Sequence, residues 1–276
     1  MSFAQTPVSL RSTIFSPWVL IYRSKKKLIE GVVVDLKLRY SGSVLGWFWA
    51  FLFPCCQLAI YTGLYVFIFK VRPSGLSQFD YVLMVFSGLV PLLAFNEALI
   101  MSIGSLVSNK ALLLSTVFPP ALIPLRAVIV GQIPMLFGLA ITFALGFLMN
   151  RTGWEAVIFA PLFWLLMIMF ATGLGWILSL ITLVARDIQQ GIGLVLMLLV
   201  FLSPFAYTPE MVPPALKAIL YLNPMAYFVL SFQQLFIYGE LPDLIPAVGS
   251  LVLGVGVFYL GYFMFERSKH SFFDYA

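Results

Sequence analysis

Charge is what this sequence has least of. Asp, Glu, Lys and Arg together make up 10% of its 276 residues, against about 25% in soluble domains, so there is too little polar surface to wrap the chain in water. Reactive side chains are scarcer still: one histidine, His270, and two cysteines, Cys55 and Cys56. Neighbouring cysteines inside an apolar run behave as small hydrophobes, which excludes a disulfide or redox framework. With His270 in a polar tail and carboxylates almost absent from the apolar stretches, hydrolytic triads, zinc sites and proton relays lack their residues. No catalytic residue and no metal ligand is therefore assigned. None of the eight lysines follows a glycine, so the phosphate cradle G-x-x-x-x-G-K-[ST] is missing and any ATP must be bound elsewhere. The net charge of +5 carries no nucleic-acid signature and fits attraction to anionic lipid.

What is present is hydrophobic: 62% of residues, with a mean hydropathy of +1.02. Runs of about 20 apolar residues cross a bilayer, and six are expected, at 45–69, 81–103, 122–149, 155–184, 190–207 and 244–265. The short NRTG turn holds the third and fourth as an antiparallel pair. Basic residues favour cytoplasmic loops. Counted through these spans, twelve of them, seven in the first 44 residues, share one side against Lys70, Arg72, Arg151 and Lys217 on the other, which places both termini in the cytoplasm. The first 40 residues lack the apolar core and cleavage site of a signal peptide, so no cleaved leader is expected.

Four stretches carry functional readings. Residues 24–40 wind into an amphipathic helix with Leu28, Ile29, Val32, Val33, Leu36 and Tyr40 on one face, Lys26, Glu30 and Lys37 on the other, and Ser24 as N-cap. Such a helix either anchors at the membrane surface or touches a partner. Trp47, Phe51, Pro54, Leu58, Tyr61, Tyr65 and Phe69 recur along one face of the first span; an aromatic stripe packs helices or lines a path for sugars. Glu97 lies about 24 Å from the outer end of its span; an ionisable residue at depth is either functional or, the favoured reading, neutralised by a structural ion pair with Arg126. The loop SLVSNKALLLSTVFPPALIPLR, with Asn109 and Lys110, is too apolar to stand bare. In the sixth span Ala247, Ser250, Gly254 and Gly261 form a small-residue face for close helix packing. Finally, SPFAYTPEMVPPALKAILYLNPMAY, with five prolines at Pro204, Pro209, Pro213, Pro214 and Pro224, cannot form one straight spanning helix.

The phrases LKLRYSGSVLGWFWAFLFP at 36–54, VFPPALIPL at 117–125, ARDIQQ at 185–190 and the proline-rich segment at 203–227, in this order and spacing, resemble the membrane subunit of type-2 ABC exporters. The polysaccharide-export permeases for O-antigen are the nearest in kind, with capsule and teichoic acid exporters related. The resemblance implies an all-α integral membrane protein of the bacterial inner membrane, an interface helix near residues 24–40, and two re-entrant outer gate helices within 209–238. It implies a homodimer with two ATP-binding cassette subunits, which hold the ATP and Mg, and a lipid-linked glycan as cargo. On this reading Lys26, Glu30, Lys37, Asn109 and Lys110 meet the ATPase. Phe51, Tyr61, Tyr65, Phe201, Phe205 and Tyr207 line the channel, and Pro204, Pro213, Pro214, Asn223 and Pro224 build the outer gate. The family often has an arginine where this chain has Gln233 or Gln234. A drug or small-molecule exporter of the same superfamily and a transferase acting on lipid-linked sugar are the alternative readings.

Overall fold

The computed structural model describes residues 10–68, 75–113 and 118–273, with side chains from 16 to 268. Every regular element among them is helical. An N-terminal pair, α1 (Leu10–Arg23) and α2 (Lys25–Tyr40), leads into α3 (Phe48–Gly63), which a π-turn extends to Ile68. Then come α4 (Gln78–Ile103), the short α5 (Ser105–Ser108) and α6 (Lys110–Leu113), α7 (Leu122–Leu148), α8 (Trp154–Val184) and α9 (Asp187–Leu202). After two 3₁₀ turns follow α10 (Lys217–Leu222) and α11 (Pro224–Gln233), with a π-turn to Tyr238, and finally α12 (Leu244–Leu251) and α13 (Val257–Phe273), joined by a π-turn.

Among the described residues, five helices are long and apolar enough to cross a membrane: Phe48–Ile68, Gln78–Ile103, Leu122–Leu148, Trp154–Val184 and Leu244–Ser268. Pro214–Leu222 and Pro224–Tyr238, bent by 96°, make a sixth if they are counted as one broken span. The expected fifth span at 190–207 falls on a shorter apolar helix. Its helix α9 has 16 residues, about 24 Å at 1.5 Å per residue, short of the roughly 30 Å hydrocarbon core. Ser203 turns to extended backbone, as a residue before proline prefers. The expected outer turn and the loop at 108–118 fall partly outside the described residues, at 69–74 and 114–117.

Helix α4 is the axis of the bundle, buried along most of its length. A capping box starts it: Asp80 N–H donates to Ser77 Oγ and Ser77 N–H donates to Asp80 Oδ2, each at 3.1 Å. Arg151 then grips the same carboxylate with two 2.7 Å bonds. The turn between α7 and α8 is thereby tied to the start of α4. It leaves α7 through Asn150 in the left-handed region, φ 53°, a conformation asparagine tolerates at helix ends. On α7, Gly131 lets the helices touch: a Cβ there would lie 2.6 Å from the Ala98 Cα. On α8, Gly173 lies against Val257 and Gly261 of α13, and a Cβ on Gly254 would sit 2.7 Å from the Leu166 oxygen. The small-residue face thus packs on α8. Trp18 fastens helix α1 to α13, its Nε1–H donating 2.9 Å to the Tyr259 hydroxyl.

Candidate functional site

Two regions carry the residues singled out above, one around α2 and one around the break after α9. Lys26, Glu30 and Lys37 of α2 are exposed, and Asn109 and Lys110 at the α5–α6 junction are half-buried. The buried stripe of α2 is narrower than the helical wheel suggests. Leu28, Leu36 and Tyr40 are buried, whereas Ile29 and Val33 are 62% and 43% exposed, because α2 rests on α7 along an i, i+4 row only. Ser24 occupies the N-cap position without a side-chain capping bond.

The expected Glu97–Arg126 ion pair does not form. Asp35 and Arg39, four residues apart and hence on one face of α2, each take one of the two groups. Arg39 Nη2 meets Glu97 Oε1 at 2.6 Å, and its Nη1 donates to the Met101 sulfur at 3.0 Å. Arg126 Nε lies 2.6 Å from Asp35 Oδ2 as an ion pair outside hydrogen-bond alignment. The other end of the buried Arg126 guanidinium donates 3.0 Å to Asn109 Oδ1 and faces the Phe118 ring, 5.9 Å from its centroid. Burial pushes the Asp35 carboxyl above its ordinary value, opposed by the nearby charge of Arg126. Gly31 makes room, since a Cβ there would stand 2.6 Å from Arg126 Cδ. One arginine therefore ties α2, α7 and the α5–α6 junction together. The i, i+4 spacing of Asp35 and Arg39 is the sequence signal from which it could have been found, and it was not used.

Beyond α9, residues 203–206 are buried although their backbone is irregular. Buried carbonyls need partners, and side chains from distant helices supply them. Gln233 Nε2 donates to the oxygens of Pro204 and Phe205 at 2.9 and 3.2 Å, and the Tyr81 hydroxyl donates to Ala206 O at 2.9 Å. Asn223 Nδ2 donates to Ser203 Oγ at 2.9 Å while its Oδ1 accepts from Met225 N–H at 2.9 Å. Asn223 thus caps α11, as its place before Pro224 suggests, and also fastens α11 to the break. Pro214 and Pro224 each open a helix, and Pro213 stands at the cap of the 3₁₀ turn, where a missing N–H costs nothing. Gln233 is a buried neutral strut, while Gln234 bonds to Asp243.

The aromatic set divides. Tyr61 and Tyr65, half-buried, stand edge-on to Phe205 with centroids 6.0 and 5.2 Å away. Phe205 itself is 1% exposed: it supports those two rings from behind and reaches no surface of the chain, which corrects its expected place in a lining. Phe51 on α3 and Phe201 on α9 are exposed, Phe51 leaning on Phe137 at 5.9 Å. Tyr207 is half-buried and donates 2.7 Å to Leu202 O.

Comparison with known proteins agrees with this architecture. The family described as ABC-2 type transporter matches residues 32–237. The O-antigen export system permease protein RfbA of Myxococcus xanthus is 27% identical over 255 residues, 91% of this chain and 96% of that protein. A protein of the same name from Klebsiella pneumoniae is 28% identical over 208 residues, 75% and 78% of the two chains. The polysialic acid transport protein KpsM of Escherichia coli is 23% identical over 216 residues, 75% and 80%.

Proposed function

Since the chain belongs to the ABC-2 type transporter family and is a multi-pass membrane protein, we propose that it is the channel-forming subunit of an ATP-driven exporter that moves a lipid-linked polysaccharide of the O-antigen type across the bacterial inner membrane. The observation that carries this reading is the similarity to an O-antigen export permease over nearly the full length of both chains. Two copies of the chain pair with two ATP-binding cassette subunits, which hold ATP and Mg. The exposed Lys26, Glu30 and Lys37 with Asn109 and Lys110 meet those subunits. Arg126 is a positioning residue that makes α2 and the α5–α6 junction move as one body.

The cargo path lies between copies, along the exposed aromatic and aliphatic faces of α3 and α9. Phe51, Tyr61, Tyr65, Phe201 and Tyr207 offer sugar rings weak, repeated contacts, as conduction requires binding that is easily left. The bent pair α10–α11, set by Pro204, Pro213, Pro214, Asn223 and Pro224, closes the outer end. Irregular backbone is tolerated at that depth because protein groups satisfy it.

Deletion of the gene, followed by fractionation of glycan between the inner face of the membrane and the cell surface, tests the reading. Lipid-linked polymer trapped inside, with surface glycan restored by the intact gene, is the expected result. Unchanged surface glycan in a strain with no second exporter overturns it.

A further inference from the structure

A cleft of about 690 Å³ opens between the elbow of α10–α11 and the start of α12. Among the described residues its lining includes two carboxylates, Glu210 and Asp243, and three tyrosines, Tyr221, Tyr227 and Tyr238, with no lysine or arginine. Gln234 bridges to Asp243, its Nε2 donating 2.5 Å to Oδ2 and its Oε1 accepting 2.8 Å from the Asp243 N–H, so that carboxylate is held in place. Sharing Tyr221, Tyr227, Leu244 and Ile245 with this cleft, a second groove of about 610 Å³ runs on along α12. Beyond the shared tyrosines its walls are aliphatic, with Leu222, Val248, Val252 and Leu253. Both volumes fall in the range of about 300–1,000 Å³ that holds a small ligand.

A ligand for this pair of spaces needs a cationic polar end and an apolar tail. Carboxylates attract an ammonium group by charge, tyrosine faces attract it through the ring quadrupole, and both repel or fail to hold an anionic head. The aliphatic groove borders residues of a membrane-crossing helix that stay exposed, among them Leu244 and Val252. We propose that the cleft and groove together bind one membrane phospholipid with an ammonium head group, its head between Glu210, Asp243 and the tyrosines and one chain along α12. The site is separate from the exposed faces of α3 and α9, and the proposal stands whether or not the cargo is a glycan. The bound lipid braces the elbow of α10–α11 against α12.

The test is equilibrium binding of a short-chain fluorescent phosphatidylethanolamine to the purified full-length protein in detergent. Unlabelled phosphatidylethanolamine is expected to displace the probe at about tenfold lower concentration than phosphatidylglycerol, the scale of one desolvated ammonium contact. Glu210→Gln, an exposed position on a 3₁₀ turn, lowers that preference, and Glu210→Gln with Asp243→Asn abolishes it, since Asn keeps the Gln234 bridge and hence the fold. Val248→Trp fills the groove and weakens both lipids alike. Equal displacement by the two lipids in the wild type, or an unchanged preference in the double variant, overturns the proposal. So does stronger displacement by a lipid-pyrophosphate oligosaccharide, which reassigns the cleft to the cargo.

Discussion

Arg126 meets three elements with one side chain, so its removal strands more than one partner. Arg126→Ala leaves Asp35 in a partly buried place without its cation, at a cost of about 3 kcal/mol, the lower end for a broken buried pair. Thermal melting of the purified chain at about pH 7 reads that loss, and Arg126→Lys, with a point charge but no fork to reach Asn109, restores only part of it. The cost depends on pH in a fixed sense. Burial already raises the Asp35 carboxyl, and a carboxyl raised in the folded state stabilises most when protonated and loses that contribution as pH climbs through its folded value. Without the opposing arginine the rise is larger, so Arg126→Ala should destabilise less at about pH 4 than at about pH 7. An equal shift of the melting temperature at both contradicts the pairing. Gln233 is the second telling residue. Gln233→Leu orphans two buried carbonyls, each worth about 1–3 kcal/mol, and is expected to lower the melting temperature while leaving the similarly sized but exposed change Gln189→Leu silent.

Elements meet here by close backbone approach at glycines as well as by large interlocking rings, because apolar burial alone gives little drive between helices surrounded by lipid. Helices α8 and α13 are the clearest case, with Gly173 facing Val257 and Gly261. Gly173→Leu must push the helices apart, and membrane accumulation of the protein, measured by fluorescence of a C-terminal fusion, is expected to fall severalfold. The exposed Leu162→Ala on the same helix should not change it. Normal accumulation of Gly173→Leu contradicts the close contact. The break after α9 rests on different chemistry. Its proline signal is local, but the groups that make the break tolerable, Tyr81 and Gln233, come from helices far along the chain.

At the scale of the molecule, α3 and α9 leave rings and aliphatic chains such as Trp49, Phe53, Met197 and Phe201 on the surface. On the proposed function a second copy of the chain covers them, and the aromatic residues face the cargo path instead of lipid. With Cys55 and Cys56 replaced by alanine, Phe201→Cys is expected to form a covalent dimer on mild oxidation, seen on a non-reducing gel. Leu162→Cys, on α8, should stay monomeric. The reverse pattern moves the interface to α8 and takes the proposed path with it.

Membrane residence, the helical content and the places of the long apolar helices follow from composition and periodicity alone, because crossing hydrocarbon demands long apolar runs whose backbone satisfies itself. Local rules were equally legible: Asn223 before Pro224 is a cap wherever it occurs, and Gly254 and Gly261 mark a packing face. Partner choice was not. Half-buried Glu97 and buried Arg126 both need a counterion, but which ones they take depends on how α2 lies across α4 and α7, and that placement brought Asp35 and Arg39 into reach. The same holds for Phe205, whose aromatic type suits a lining or a core equally well and which packing on Gly88, Tyr61 and Tyr65 makes a core residue. Sequence determined which groups must be satisfied, through the cost of leaving them bare. Only the tertiary structure decided by whom, because those contacts join residues dozens of positions apart.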